Sequence, residues 1–332
     1  MQTNRRHSVK SPMHTVGKHL FCFTFLLMFI VIPITFTRAT QGTTIKVNPY
    51  ASTAQIGELI AVNITLTDVE NLYGVEVSLH WNASILHVVS VDVRLGLESH
   101  SDGVLHEPVF VAKNETTQEE GKYLLAGTST APAPPFNGSG NIVRITFNVT
   151  NIGDSKLDLE TKLADWPPPD REPRISWPIE HTTIDGFFDM NPPTIGIPTR
   201  TPSDDVLPEQ SVKVSVNVTD SASGVKNVTL LYTLNNGSTW EELIMDYNSS
   251  TGFYEATIPA QQAETWVKFK IIAYDYAENL QTKNGEEPYC TYFVIPEFSH
   301  TTILLLFVVL TIFAFVLSDK ILVEEKLTRY AG

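Results

Sequence analysis

Between Thr44 and Ile295 the apolar residues recur at every second position in short runs, and no stretch keeps the three-and-four spacing of a helix face. Ile60, Val62, Ile64 and Leu66 share one parity, as do Val75, Val77, Leu79 and Trp81, then Val143, Ile145, Phe147 and Val149, and later Val212, Val214, Val216 and Val218. Strand side chains alternate between faces, so each run buries one face and wets the other. The chain is therefore expected to be all-β. Strands are predicted at 44–48, 58–67, 72–81, 86–93, 108–113, 122–129, 141–149, 156–161 and 182–187, then at 195–198, 211–219, 227–234, 240–246, 252–258, 266–274 and 289–295. The nine over residues 44–188 read as a β-sandwich with jelly-roll-like connections. The seven over 194–296 read as an immunoglobulin-like sandwich without the Cys…Trp…Cys spacing. Residues 189–194, with two adjacent prolines, read as a linker. Cys290 alternates with Tyr292 and Val294, which makes it a core thiol.

Both ends carry membrane-directed signals. Residues 20–34 form an apolar run behind a basic stretch, short for a span and of the length of a secretory signal core. Small residues at Thr37 and Ala39 place cleavage after Ala39, so 1–39 is expected to be a signal peptide. Residues 301–317 are apolar apart from threonines, and with their flanks reach the ~20 residues of a membrane helix. A transmembrane helix is thus expected at 299–318, with 319–332 as a cytoplasmic tail. The preceding Val294-Ile-Pro-Glu-Phe298 resembles the carboxy-terminal sorting signals of archaeal surface proteins, although this tail lacks their closing basic cluster.

Charge and cysteine count narrow the partners. The net charge is −14, of which the first 39 residues contribute +5 and the last fourteen nothing, leaving −19 on residues 40–318. So acidic a stretch repels phosphate backbones and excludes nucleic acid. With Cys22 in the leader, Cys290 has no partner for a disulfide, so each module must stand on its own core.

Asn-x-Ser/Thr sequons occur at Asn63, Asn82, Asn114, Asn137, Asn148, Asn217, Asn227, Asn236 and Asn248. Random placement of this chain's asparagines, serines and threonines would give about three. Asn63, Asn82, Asn148, Asn217 and Asn227 each take the parity opposite the apolar set of their strand; the other four fall in turn-like text. The pattern predicts a glycosylated exterior.

The segment Asn71-Leu-Tyr-Gly-Val-Glu-Val-Ser-Leu-His-Trp-Asn-Ala-Ser-Ile-Leu-His-Val-Val-Ser-Val-Asp92 resembles the third and fourth strands of cohesin modules. Gly138-Ser-Gly-Asn-Ile-Val-Arg-Ile-Thr-Phe-Asn-Val149 and His181-Thr-Thr-Ile-Asp-Gly-Phe187 fit the same family, so the resemblance spans 44–188. It implies binding, in trans, of a dockerin domain on another protein. The family's acidic contact falls on Glu76 and its asparagine contact on Gly74, with Ser78 and His80 on the same outward face. The acid of the family's aromatic–acid pair is here Asn82, whose glycan would crowd that face. The second module resembles the immunoglobulin- or fibronectin-like spacers of prokaryotic surface proteins through Asp220-Ser-Ala-Ser-Gly-Val225, Ala256-Thr-Ile-Pro-Ala260 and Ala273-Tyr-Asp-Tyr-Ala-Glu-Asn279.

Two alternatives stay open. Cohesins share their sandwich with cellulose-binding modules, and Tyr73, Trp166 and Trp177 are candidates for stacking on an extracellular polysaccharide, against a reading in which the tryptophans plug the open end of the sandwich. A passive surface-layer stalk needs no site at all. No nucleophile elbow, phosphate-binding glycine loop or His-Glu-x-x-His occurs, so an enzyme is not expected. No cofactor is assigned. Asp189, Asp220 and Asp275 allow a calcium ion between the modules, or serve merely as turn formers.

Overall fold

A computed structural model describes residues 42–283, 290–296 and 300–330, with side chains of the last segment limited to 303–318 and 320. The expected signal peptide at 1–39 lies outside the described residues. The described residues group as one unit.

The first ten strands are β1 (Thr44–Asn48), β2 (Ala51–Ser52), β3 (Leu59–His80), β4 (Leu86–Val93), β5 (Val109–Thr117), β6 (Lys122–Ser129), β7 (Phe136–Val149), β8 (Ser155–Asp165), β9 (Thr182–Ile184) and β10 (Gly186–Phe188). Their organiser is β3. Its first half pairs with β1 on one side and β7 on the other; its second half pairs with β6 and β8. One strand thereby belongs to both layers, β4-β7-β3-β1-β9 and β5-β6-β3-β8-β10-β2. The sequence predicts a break between 67 and 72. The chain instead stays in the ladder there through register shifts, with Asp68 and Asn71 at φ 54° and 58° and with Val69 and Leu72 buried. Asparagine and aspartate tolerate this left-handed backbone, so the signal that looks like a loop is a bulge. Most pairs are antiparallel, but β1 runs parallel to β9, and β2 to β10.

The apolar parity does what it should. Ile60, Val62, Ile64 and Leu66 meet Val143, Ile145 and Phe147 in one core, which also takes Val75, Val77 and Leu79 from the second half of β3. Trp81 closes it, edge-on to Phe147 with ring centroids 5.1 Å apart and its indole N–H on the Leu86 carbonyl. Neither Trp166 nor Trp177 is among the residues of this core.

The following elements are β11 (Thr194–Ile195), β12 (Thr199–Thr201), β13 (Val212–Val216), β14 (Val218–Thr219), β15 (Val225–Thr233), β16 (Glu241–Ile244), β17 (Asp246–Asn248), β18 (Phe253–Ile258), β19 (Trp266–Asp275), β20 (Leu280–Lys283) and β21 (Thr291–Phe293). A four-stranded sheet, β12-β13-β18-β17, faces a second in which β16, β15, β19 and β20 follow one another and β21 also pairs with β19. The seven expected strands thus become a larger set, because the strands expected at 211–219 and 240–246 each divide in two and β12 and β20 carry too few apolar residues to show as periodic runs. A separate core runs from Ile195 to Val294 and contains Cys290, whose thiol burial pushes up.

The residues expected to link the modules are pinned. Asp189 is fully buried, accepting from Ser223 N (3.0 Å) and Ser223 Oγ (2.6 Å), while its carbonyl accepts Asn279 Nδ2 (2.9 Å). Tyr50 meets Tyr276 edge-to-face at 5.5 Å across the same junction.

The C-terminal helix α1 (His300–Tyr330) forms where an apolar helix is expected, but it corrects the expectation of a membrane span at 299–318. Among the described residues no helix is long and apolar enough to cross a membrane. The backbone then stays helical through Lys320 and the charged residues expected to form a separate tail.

Candidate partner-binding face

The outward side of β5-β6-β3-β8 is built by register alone. Residues on one face of neighbouring strands line up in rows, and four rows result: Phe110–Thr128–Gly74–Ala164, Lys113–Ala126–Glu76–Lys162, Glu115–Leu124–Ser78–Glu160, and Thr117–Lys122–His80–Asp158. The structure thus brings Gly74, Glu76, Ser78 and His80 together on one strand face and adds partners that the sequence did not reveal. Lys162 Nζ donates to Glu76 Oε1 at 2.6 Å, and the carboxylate holds the ammonium above its usual range. His80 Nε2 lies 3.0 Å from Ser78 Oγ. A Cβ placed on Gly74 would sit 3.5 Å from Thr128 Oγ1 and 3.6 Å from Ala164 Cβ, so small side chains keep that end of the face low. Phe110 stands beside it, 60% exposed. It was missed because a bulge between Val111 and Lys113 resets the parity of β5.

No sequon asparagine occupies any of the sixteen positions in these four rows. Asn82 lies beyond the last row, in the turn after β3, where its amide N–H donates to Ser155 Oγ and its Oδ1 accepts from Ser84. Asn114 takes the other parity of β5, with its Oδ1 accepting the hydroxyl of buried Tyr123 at 2.9 Å. The opposite layer differs: Asn63 and Asn148 stand on β3 and β7, paired with Arg144 and Leu59.

The proposed stacking residues are differently placed. Trp177 is 53% exposed with the Arg171 guanidinium 3.9 Å from its ring centroid. Arg171 is held in turn by Asp165 in a two-pronged pair at 2.6 and 2.9 Å, and Asp165 Oδ1 also accepts Trp177 N. That guanidinium keeps the Asp165 carboxyl below the usual range. Asn71 Nδ2 donates to the Trp166 carbonyl, tying the proline-rich segment to the bulge in β3. Tyr73 and Trp166 are half-buried, and among the described residues no ring contact joins them to each other or to Trp177.

At the junction, carboxylate oxygens of Asp189, Asp220 and Asp275 lie within 4.8 Å of one another. Burial pushes the carboxyls of Asp189 and Asp275 up, and the charge of Asp220 adds to both. Their oxygens are of the kind calcium takes, but three side chains fall short of the six to eight ligands it requires. Much of their capacity goes to the protein: Asp275 accepts Asn279 N and Nδ2, and Asp220 accepts Ala222 N and Gly224 N.

A family model described as "Domain of unknown function (DUF7743)" matches residues 188–304. No curated protein matches the chain. Among solved structures the neighbours are cohesin modules. A non-cellulosomal cohesin from the hyperthermophilic archaeon Archaeoglobus fulgidus is 18% identical, covering 45% of this chain and 91% of its own, with a TM-score of 0.31. The cohesin in a type I cohesin–dockerin complex from Clostridium thermocellum is 12% identical, covering 45% and 99%, at 0.34. The type II cohesin dyad from the adaptor ScaA scaffoldin of Acetivibrio cellulolyticus is 12% identical, covering 77% and 97%, at 0.35.

Proposed function

We propose that the first module is a protein-binding module that docks a dockerin-bearing partner in trans on the outward face of β5-β6-β3-β8. The observation that carries the reading is that this face spans four strands and holds no sequon asparagine, while Glu76 stands on it at the position where the sequence resembles the acidic contact of cohesins. Gly74 replaces the family's asparagine contact, so the partner meets a smoother surface flanked by Phe110. In this reading the module works outside the cell, a placement that rests on the leader and on the excess of sequons in the sequence. The second module acts as an immunoglobulin-like spacer, supported by its facing four- and five-stranded sheets.

Calorimetric titration of the chain with dockerin modules from the same genome tests this. Glu76→Lys meets Lys162 with like charge and should weaken binding at least tenfold, about 1.4 kcal/mol. The fold should hold, because an exposed pair contributes about 0–1 kcal/mol to stability. Equal affinity of variant and parent, or no binding by either, overturns the proposal.

Polysaccharide binding is the second reading, favoured by Trp177: one ring face is stacked against Arg171 while half the side chain stays exposed on a segment braced by Asp165. Retention on insoluble glycans that Trp177→Ala leaves unchanged dismisses it.

A further inference from the structure

The geometry points to Asn236 as an acceptor for an N-linked glycan whose first sugars fold back onto Trp266 of the same chain. The hairpin turn between β15 and β16 is rigid. Asn236 and Gly237 take φ 58° and 93°, and Ser238 N returns to the Asn235 carbonyl at 3.3 Å. Asn235 spends its side chain inside the turn, accepting Thr239 N and donating to Thr239 Oγ1. Asn236 does not: its side chain is exposed, and among the described residues no hydrogen bond engages its amide. The acceptor nitrogen is therefore presented on a fixed support.

Beside it opens a cleft of about 420 Å³ lined by Leu234, Asn235, Asn236, Trp266 and Lys268. Trp266 is 57% exposed, resting on Phe293 with ring centroids 5.0 Å apart, and Leu234 is likewise exposed. Trp240 flanks the other side of the turn, 3.6 Å from where a Cβ on Gly237 would lie, and packs its ring against Lys270. Pyranose rings present an apolar C–H face that lies flat on an indole and hydroxyls that reach amides and ammonium groups. This cleft offers both surfaces, and the sequon asparagine forms part of its wall.

The transfer needs a lipid-linked oligosaccharide. The Asn236 amide nitrogen attacks the anomeric carbon, the bond from that carbon to the lipid phosphate oxygen breaks, the lipid phosphate departs with the electron pair, and the amide gives up one proton. The inference rests on residues 40–298 being exported, though not on what the first module binds.

The full chain, made in a glycosylating host of its own kind, tests it through peptide mass spectrometry, acrylamide quenching of tryptophan and thermal unfolding of the second module. Ser238→Ala removes the sequon and leaves Asn236 in place. Asn236 should be occupied in the parent. Ser238→Ala should raise tryptophan quenching measurably and lower the unfolding midpoint by about 4 °C. In a Trp266→Ala background Ser238→Ala should cost almost nothing, because the glycan has lost its platform. Occupied Asn236 with the same midpoint loss in both backgrounds overturns the inference, as does bare Asn236 beside other occupied sequons. A chain bare at every sequon overturns both this inference and the export on which it rests.

Discussion

Asp220→Asn, at the junction of the two modules, should stabilise the chain at neutral pH. The Oδ1 of Asp220 accepts Ala222 N at 3.1 Å and Gly224 N at 2.7 Å, and asparagine keeps that oxygen. Only the charge is lost. With carboxylate oxygens within 4.8 Å, two like charges repel by about 3.5 kcal/mol at an effective dielectric near 20. Proton uptake and the surrounding hydrogen bonds relieve part of this, so a gain of about 1–2 kcal/mol remains. The pH dependence fixes the sign. The Asp189 and Asp275 carboxyls are raised in the folded state above unfolded values of about 4. Their stabilisation is therefore full below about pH 4 and is lost as pH rises through the folded values. Removing the Asp220 charge lessens that loss. The gap between variant and parent should open on going from about pH 4.5 to about pH 7 and close again on acidification. Guanidinium unfolding in the presence of a chelator, followed by tryptophan fluorescence, measures it. A variant no more stable than its parent near neutral pH, with divalent cations removed, refutes charge repulsion as what governs stability at this junction.

Phe147→Ala empties a fully buried site and removes the edge-to-face partner of Trp81, so the first module should lose about 3–5 kcal/mol by denaturant unfolding while the core running from Ile195 to Val294 melts unchanged. Asp165→Asn keeps the Oδ1 that accepts Trp177 N but removes the charge and the Oδ2 that accepts Arg171 Nη2, with an expected cost of about 1–3 kcal/mol locally and faster limited proteolysis within 166–178. Because Arg171 lowers the Asp165 carboxyl, this contribution is present above the unfolded value of about 4 and is lost as pH falls through the folded one, so the proteolysis difference should vanish in acid.

What could be read from the sequence, and what could not, follows from the range of each interaction. β4 and β6 begin and end where alternation puts them, because each carries its own burial signal. β5 runs on to Thr117 through Lys113, Asn114 and Glu115, which pair with β6 through the backbone ladder and offer no apolar period. At 68–71 residues typical of turns sit in a bulge, since the ladder on either side outweighs the local preference for reversal. The candidate face divides the same way. Glu76, Ser78 and His80 share a parity on one strand and were legible. Lys162 and Phe110 reach them only through cross-strand register and a bulge, neither of which one strand records. The Asp189–Asp220–Asp275 cluster was legible as acids in turns, but its closeness depends on how two cores meet.

The parallel pairing of β1 with β9 and of β2 with β10 has a mechanical consequence. The opening and closing strands of the first module lie side by side and point the same way. Tension applied to the chain at those two places draws the strands lengthwise past each other, so their bonds share the load and must yield together. A hairpin pulled from its open end yields one bond at a time. Force entering ahead of β1 and leaving after β10 thereby loads the module along its tougher direction.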